Sequence, residues 1–532
     1  MVNLDYSLLW EDEANTYNIS NNLLKTGTLT AWDGRNLASD ADGMNLNSNL
    51  QEVIPPLQYV ISALGIKLFG YNEIGARSMH AFIGVLALVM FLLLLKQHFP
   101  DSPRLRCLIF MFVALSPQLL LYFRSARYFA LAVFSCLACF YLYERYWRQG
   151  HLGNLVGAAA FGLIGVMNSY TIGTASMVSI AIYHLTFRAS ETTKKQWLMF
   201  SLMPLLIALV SGYYLYAFGV ISVDHEMLHF YQKHEANRLE ILWTMTKTIA
   251  GADWLSWSVC LWFLFQRILY KRQQQSEPPP SVISSHRLIY LGILLLLFST
   301  VLTPHTWVEL RLFIAALPFL LVMKGLFIDW LTSKSKPIAI AVFLALISSG
   351  VGAFPLNLIN TYTNISMHEL WLVSFIKEIH RPYLPDGIRE VTDYLKQHAN
   401  KDDLVHVPGY YGHQNNMIPY IGNHILFCCQ IETDNQRLSA KIANLRPSLF
   451  FDRNVAPDWI VVYYPKINQA WQDAMKDNYS RNWTSVHLPI FAAQAHRPEI
   501  DMHSFIPPQH NLNGGVIILK RKDNPASPNT WF

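Results

Sequence analysis

Long apolar blocks separated by short polar loops dominate the middle of this 532-residue chain. Between about residue 76 and residue 354, these blocks contain almost no charged side chains. Each block is close to the roughly 20 apolar residues that a helix needs to cross a bilayer. The pattern therefore predicts an integral membrane protein. The predicted spans, about ten in number, are 76–97, 106–123, 127–147, 153–170, 171–187, 197–219, 252–270, 288–304, 308–329 and 337–354.

Basic residues divide the predicted loops into two alternating sets. Cytoplasmic loops are enriched in Lys and Arg, so the richer set is predicted to be cytoplasmic. Residues 1–75, the 220–251 loop and everything after residue 355 are then predicted on the outer side. The richer set contains Lys96, Arg104, Arg106, Arg145, Arg148, Arg188, Lys194, Lys195, Lys271, Arg272, Arg287, Lys334 and Lys336.

The last part of the chain has a mixed polar sequence instead of apolar blocks. An amphipathic helical pattern precedes the short strand pattern "DLVHVPG", and further strand patterns occur in "PDWIVVYYP" and "GGVIILKRK". Strands that alternate with helices indicate a small α/β domain. The predicted fold is an all-α polytopic membrane domain with a C-terminal α/β extracytoplasmic domain. Its regions are an outer first loop with amphipathic helices (1–75), a transmembrane helical domain (76–354) and the soluble domain (355–532).

The first residues, "MVNLDYSLLW", contain no charged-then-apolar signal peptide that would carry the first loop across the membrane. We therefore expect a further transmembrane helix in front of this sequence, with "YSLLW" as its outer end.

Composition narrows the class of protein further. The chain is 52% hydrophobic and only 14% charged, against about 25% charged residues in an ordinary soluble domain. It contains neither GxxxxGK[ST] nor GxGxxG, so a nucleotide-driven mechanism has no support. Cys136 and Cys139 form a CxxC inside a predicted span without neighbouring His or acidic ligands, which favours small core residues over a zinc site.

Three acids, Glu11, Asp12 and Glu13, open the segment "EDEANTYNISNNLLKTG". Apolar and polar positions alternate after them with helical spacing, and Gly27 follows, so an amphipathic helix on the membrane surface is predicted. Acids in a first turn complement the helix dipole, by about 0.3–1 kcal/mol each. One interpretation of these acids is therefore purely structural.

The segments that follow favour a chemical role. "PPLQYVISALGIKLFG" comes next, and then a short polar link leads to Arg77 at the start of the next span. "SPQLLLYFRSARYFAL" and "ELRLFIAALPFLLV" lie further on. In this order the segments resemble the GT-C superfamily of glycosyltransferases that use lipid-linked sugars. The similarity is greatest to protein O-mannosyltransferase and aminoarabinose-transferase-like bacterial enzymes, and it covers residues 8 to about 330.

The resemblance implies roles for particular residues. Asp12 matches the first acid of the family and is the candidate base. Glu13 would be a helper or would hold the helix in place. The leaving phosphate needs cations at the outer membrane edge, because burying its charge unpaired is costly. The candidates are Arg77, Arg124, Arg127, Arg311 and, more weakly, His305, with Arg127 and Arg311 preferred. Snorkelling to the interface is the alternative role for each arginine.

A divalent metal ion is a further possibility that the sequence leaves open. Many related mannosyltransferases carry a second acid where this chain has "FRSARYFAL", and this departure weakens a mechanism based on two acids. His225 and His229 in the outer loop have the i,i+4 spacing of a metal site. Some relatives combine a loop histidine with a first-loop acid, for which Glu52 is available. The alternative is an ordinary polar surface helix.

The resemblance implies an inverting glycosyltransferase of the cytoplasmic membrane that moves a sugar from a polyprenyl-phosphate carrier on the outer face. Its partners would be the lipid-linked sugar, the bilayer and an acceptor lipid, glycan or protein. A transporter or flippase of lipid-linked saccharides would need charges along a mid-span path, and related halves. The main mid-span charge is Lys324, near the cytoplasmic end of its span. A polymerase of lipid-linked saccharides would not need the observed order of motifs.

Overall fold

The computed structural model describes fourteen separate parts of the chain. They comprise residues 3–5, 7–38, 46–47, 49–52, 55–217, 261, 280–302, 310–348, 372–380, 387–407, 413–427, 456–463, 482–488 and 516–522.

Helices account for most of the described residues. In chain order they are α1 (Glu11–Thr26), α2 (Leu57–Phe69), α3 (Glu73–His98), α4 (Pro103–Ala114), α5 (Pro117–Phe123), α6 (Phe129–Gln149), α7 (Leu152–Asn168), α8 (Tyr170–Phe187), α9 (Lys194–Ala217), α10 (Pro280–Leu302), α11 (Leu317–Leu320), α12 (Val322–Lys334), α13 (Lys336–Ser348), α14 (Leu372–Ile379), α15 (Gly387–His398) and α16 (His413–Met417). Short 3₁₀ helices occupy Ala189–Glu191 and Leu310–Ala316.

The predicted spans coincide with helices wherever they fall on described residues, and 252–270 lies outside them apart from Leu261. Five helical segments of the described chain are long and apolar enough to cross a membrane. The number rises to six if α4 and α5, which are bent by 57° at their junction, form one span. The prediction of about ten spans also counted shorter apolar segments, such as those that form α7 and α13.

The segment "MNSYTIG", residues 167–173, contains the end of α7 and the start of α8, with a tight turn at Ser169 between them. The Ser169 hydroxyl accepts a hydrogen bond from the Ile172 backbone N–H at 3.4 Å and so caps α8. Gly165 and Gly173 meet so closely that a Cβ on Gly173 would collide with the backbone of Gly165 and Val166. The two helices therefore fold back on each other as a hairpin.

The membrane domain has its core around α6, which packs against α3 and α7. Phe91, Phe129 and Phe140 are fully buried there. By contrast, Leu205 and Leu209 of α9 are exposed, as expected for side chains that face lipid. Apolar residues therefore fill the interior and cover the outside, which is the pattern of an integral membrane protein.

The C-terminal part contains a five-stranded mixed sheet of order β2-β1-β3-β5-β4. The strands are β1 (Leu404–Val407), β2 (His424–Phe427), β3 (Trp459–Tyr463), β4 (Trp483–Leu488) and β5 (Val516–Arg521). β1 is parallel to β2 and β3, whereas β5 is antiparallel to β3 and β4. The three predicted strand patterns correspond to β1, β3 and β5, so the predicted α/β domain is confirmed.

This domain packs directly on the first loop. The Arg35 guanidinium donates to the Gly422 and Lys401 carbonyls at 2.7 and 2.9 Å. Asn36 accepts a hydrogen bond from the Ile425 backbone N–H at 2.8 Å. Leu8 belongs to the apolar cluster between the sheet and α15. The chain segment that leads into α1 is thereby fixed to the C-terminal domain.

The amphipathic helix α1 forms where the sequence predicts it, but its polar face is not exposed to solvent. Asn15, Asn18 and Asn22 are almost completely buried. Asn18 donates to the Asn415 carbonyl at 3.2 Å, and Asn22 donates to the Thr30 carbonyl at 2.9 Å. The C-terminal domain and the remainder of the first loop cover the polar face, a long-range effect that helical periodicity cannot reveal.

Candidate active site

Helix α1 presents its two acids to different surroundings. It begins at Glu11 and ends at Thr26, where Gly27 adopts a left-handed φ of 74° that closes the helix. Neighbouring helical residues point about 100° apart around the axis. Asp12 and Glu13 therefore have separate partners although they are adjacent in sequence.

Glu13 forms a buried ion pair with Arg77 of α3. The Arg77 Nε donates to Glu13 Oε1 at 3.0 Å, and Nη2 donates to Oε2 at 2.5 Å. The Ala126 backbone N–H also donates to Glu13 Oε1, at 2.7 Å. Only 1% of the Glu13 surface and 5% of the Arg77 surface are exposed. The pair thus ties α1, α3 and the segment before α6 together.

The other N–H groups of Arg77 are also occupied. Nη1 donates to the carbonyls of Leu4 and Ser7 at 2.6 and 2.9 Å, and Nη2 donates to the Leu8 carbonyl at 3.0 Å. A guanidinium has five N–H donors, and these three bonds together with the two to Glu13 account for all of them. Arg77 therefore has no donor left for a phosphate in this conformation.

Asp12 meets two arginines that the sequence places far from it. Its Oδ2 forms an ion pair with Arg127 Nη2 at 3.1 Å and accepts a hydrogen bond from Arg311 Nη1 at 2.7 Å. Arg127 is also held by the Asp12 carbonyl and by the Thr16 hydroxyl, each at 3.3 Å from its Nη1. We call Asp12, Arg127 and Arg311 the Asp12 cluster.

The Asp12 cluster combines paired charges with access. It brings two guanidinium groups to one carboxylate. The side chains of Asp12 and Arg311 are 17% and 23% exposed, whereas that of Arg127 is only 7% exposed. Arg127 is therefore a buried anchor, and Asp12 and Arg311 can reach a bound molecule. Such an arrangement suits an anion next to a carboxylate that can take up a proton.

The remaining cation candidates lie in different settings. Arg124 is half-buried and donates from Nη2 to the Asn3 carbonyl at 2.7 Å, so it also helps to hold the chain that leads into α1. His305 lies outside the described residues. The structure thus brings Arg77, Arg124, Arg127 and Arg311 to the same end of the helices, with two of them on Asp12.

The metal candidates do not converge within the described residues. Glu52 is buried, and its carboxylate accepts hydrogen bonds from Asn15 Nδ2 at 2.5 Å and from the Tyr59 hydroxyl. His225 and His229 lie outside the described residues. Across the part of the chain that the structure describes, no three His, Cys, Asp or Glu side chains are grouped as metal ligands.

The sequence did not point to two tyrosines, Tyr17 and Tyr420, that lie near the Glu73 carboxylate. The Tyr420 hydroxyl accepts from the Leu9 backbone N–H at 2.9 Å, and burial together with the charge of Glu73 raises its pKa well above the usual value. Burial and the same carboxylate raise the pKa of Tyr17 to about 12. Both remain protonated at neutral pH. Tyr17 could have been found, because it lies within the predicted helix α1. Tyr420 could not, because no sequence signal links it to this helix.

No protein-family model matches the chain. An uncharacterized protein of Aquifex aeolicus (strain VF5) is 25% identical over 345 residues, which is 63% of this chain. The chain spans 62% of the length of that relative.

Two crystal structures of ArnT from Cupriavidus metallidurans match the whole fold. The apo structure gives a TM-score of 0.61 at 12% identity, and the structure bound to undecaprenyl phosphate gives 0.60 at 13%. Each comparison covers 97% of this chain and 95% of the ArnT chain. This chain therefore has the fold of ArnT, which confirms the GT-C fold that its motifs imply.

Proposed function

We propose that this protein is a glycosyltransferase that takes a sugar from a polyprenyl-phosphate carrier at the outer face of the cytoplasmic membrane. The observation that carries the proposal is the Asp12 cluster, in which one accessible carboxylate lies between two guanidinium groups. Its occurrence in a fold shared with ArnT, one structure of which holds undecaprenyl phosphate, supports a lipid-phosphate donor.

In the proposed reaction, the acceptor hydroxyl or amine attacks the anomeric carbon of the sugar. The bond between that carbon and the phosphate oxygen breaks, and polyprenyl phosphate leaves with the bonding electrons. Asp12 receives the proton of the acceptor, as a general base does. Attack on the face opposite the leaving phosphate inverts the configuration.

The arginines would stabilise the phosphate as its negative charge grows. Charge-assisted hydrogen bonds from guanidinium to phosphate are among the strongest in proteins. Arg311, which is partly exposed and bound to Asp12 at 2.7 Å, is the better placed of the two to turn towards a phosphate. A donor phosphate that draws Arg311 away would also uncover the Asp12 carboxylate. Donor binding would then prepare the base for the acceptor.

Glu13 and Arg77 fit a structural role, which for Glu13 is the second of its two expected roles and for Arg77 replaces the expected contact with phosphate. Both are buried, and all five Arg77 donors have partners within the protein. Removing one member of such a pair leaves an uncompensated buried charge. We therefore assign to this pair the positioning of α1, and to Asp12, Arg127 and Arg311 the contact with substrate.

Reconstitution in liposomes tests the proposal. The purified protein is mixed with a panel of polyprenyl-phosphate sugars and candidate acceptors, and the released polyprenyl phosphate is measured together with the glycosylated product. We expect release that depends on both donor and acceptor. Movement of donor between leaflets without sugar transfer would contradict the proposal and would instead indicate a flippase.

A further inference from the structure

A lipid-facing stripe on helix α10 carries an arginine among apolar side chains. Ile283, Leu297 and Val301 are exposed, and their spacing places them on one face of the helix. Exposed apolar side chains on a spanning helix face lipid. Arg287 and Tyr290 lie on the same face, because they follow Ile283 by four and seven residues. A charged side chain on such a stripe is costly unless it finds a partner or water.

Arg287 lies at the end of the membrane domain that is opposite the Asp12 cluster. Its guanidinium carbon is 5.3 Å from the centre of the Phe187 ring, at the end of α8. The residue after Phe187 is Arg188, which pairs with Glu144 of α6. Helix α6 begins beside the Asp12 cluster, and Glu144 follows its first residue by fifteen positions, which corresponds to about 22 Å along the axis. Arg287 is therefore on the side that the basic loops predict to be cytoplasmic.

The guanidinium of Arg287 is half-buried but has no acceptor among the described residues. Its Nε is enclosed and makes no hydrogen bond there. Glu144, the buried acid at this end of α6, lies 3.3 Å from Arg188 Nη2 and pairs with that arginine instead. Guanidinium groups form their strongest hydrogen bonds with carboxylate and phosphate oxygens. The site therefore favours an anion.

Arg287 is held in place by aromatic packing. The Phe187 ring, over which its guanidinium lies, packs edge-on against the Tyr290 ring at a centroid distance of 5.3 Å. The Tyr290 hydroxyl is 3.2 Å from Thr186 Oγ1, so α8 and α10 are joined at this point. A guanidinium that is already positioned loses less conformational entropy when it binds an anion than a mobile surface arginine does.

The surroundings of Arg287 favour a lipid headgroup over a soluble anion. Arg287 follows Ile283, the first residue of the candidate span, by four residues, which is about 6 Å along the helix. An arginine at this depth can extend its head group to the level of the lipid phosphates. Leu185 on α8 is exposed beside it, and Leu297 and Val301 continue the apolar stripe towards the other end of the span. A phosphate bound by Arg287 would thus have apolar surface for its acyl chains.

We propose that Arg287 binds the phosphate of an anionic phospholipid in the leaflet opposite the Asp12 cluster, with an acyl chain along the exposed stripe of α10. Basic sites between spans on the cytoplasmic side suit anionic headgroups. Glu144 is already bound to Arg188, so it would not hold the ammonium group of a zwitterionic lipid. The site is distinct from the Asp12 cluster, and the inference does not rest on the proposed function.

Native mass spectrometry of the full-length protein, released from detergent, tests this inference. The probes are phosphatidylglycerol, phosphatidylcholine with the same acyl chains, and inorganic phosphate. We expect wild type to bind phosphatidylglycerol in preference to both other probes. Arg287→Gln is expected to weaken that binding about tenfold, the size of one hydrogen bond to a charged group. Arg145→Gln is the matched control, because Arg145 is an exposed arginine at the same end whose Nε already donates to Gln149 at 2.8 Å.

Melting temperatures in lipid-free detergent show whether both variants are folded. Weaker binding of phosphatidylglycerol by Arg287→Gln but not by Arg145→Gln supports the site. An equal loss in the two variants overturns it, since general attraction by the basic loops would then explain the binding. The comparison of probes on wild type needs no variant. Equal affinity for the two lipids overturns the preference for an anionic headgroup, and inorganic phosphate that binds as tightly as phosphatidylglycerol overturns the lipid.

Discussion

Asp12 and Glu13 show how adjacent residues of one type acquire different roles. Glu13 is enclosed and satisfied by Arg77 and by the Ala126 N–H. Asp12 remains 17% exposed and shares its Oδ2 between two guanidinium groups. The rotation of about 100° between neighbouring helical positions is sufficient to separate a supporting carboxylate from a candidate base.

Glu13→Gln is expected to destabilise the protein by about 3–5 kcal/mol, because it leaves the buried Arg77 charge uncompensated. Thermal unfolding in detergent measures the effect as a lower melting temperature. Asp402→Asn is the matched control, since the Asp402 side chain is 98% exposed in its contact with Arg35, and it should leave the melting temperature nearly unchanged. Equal melting temperatures for Glu13→Gln and wild type would rule out the supporting role.

Arg311→Gln is expected to weaken the binding of undecaprenyl phosphate without unfolding the protein. A hydrogen bond to a charged group contributes about 1.5–3 kcal/mol, which corresponds to about 10- to 150-fold in affinity. Titration of the lipid followed by native mass spectrometry measures this change. Arg104→Gln, at the exposed pair with Asp329, is the control. An unchanged affinity in Arg311→Gln would remove Arg311 from the phosphate site.

At the scale of elements, close helix contacts depend on glycines at particular positions. A Cβ on Gly75 would collide with the carbonyl of Gly70, at the turn between α2 and α3. We therefore expect Gly75→Ala to lower stability by about 1–3 kcal/mol through overpacking. Gly153→Ala on α7 is the control, because a Cβ there meets nothing within 4 Å. Equal thermal stability of the two variants would contradict this account of the turn.

The sheet domain should respond to acid through His406 on β1. Burial lowers the pKa of His406 from 6.5 to about 3. Between these two values the unfolded chain binds a proton that the folded chain does not, so stability must fall as the pH falls through this window. Melting curves across the window should show a smaller fall for His406→Phe than for wild type. The exposed His398→Gln serves as control, and parallel curves for His406→Phe and wild type would contradict the prediction.

The sequence predicted most elements because apolar blocks and strand patterns are local signals. It missed β2 and β4, and in β4 the sequence "WTSVHL" has polar and apolar positions on both faces. It also misjudged the environment of α1. A polar helical face looks the same in sequence whether water or another domain covers it, and here Asn415 and its neighbours cover it.

At the scale of the whole molecule, the order of motifs identified the residues of the candidate site. It did not show which acid pairs with which arginine. Asp12 and Arg311 are separated by 299 positions, and only the fold shows that they touch. The sequence selected Asp12 through its match to the first acid of the family, and Arg311 through its place at a predicted outer span end. It could not show that the Arg77 donors are all occupied, since three of their five hydrogen bonds go to the backbone carbonyls of residues 4, 7 and 8.

The C-terminal domain also belongs to the candidate site, because it contacts α1 and the segment before it. It contacts the segment before α1 through Tyr420 and α1 itself through the Asn415 carbonyl. The membrane domain contributes Arg127 and Arg311 from the opposite side of α1. Helix α1 thus lies between the membrane domain and the C-terminal domain.

The central claim is that Asp12 is the base that activates the acceptor. The most direct measurement is the release of polyprenyl phosphate by wild type and Asp12→Asn in the same liposomes, with the melting temperature recorded for both. Loss of a general base lowers the rate by about 100- to 10,000-fold, so we predict a loss of that size in a variant that remains folded. Full activity in Asp12→Asn would contradict the account.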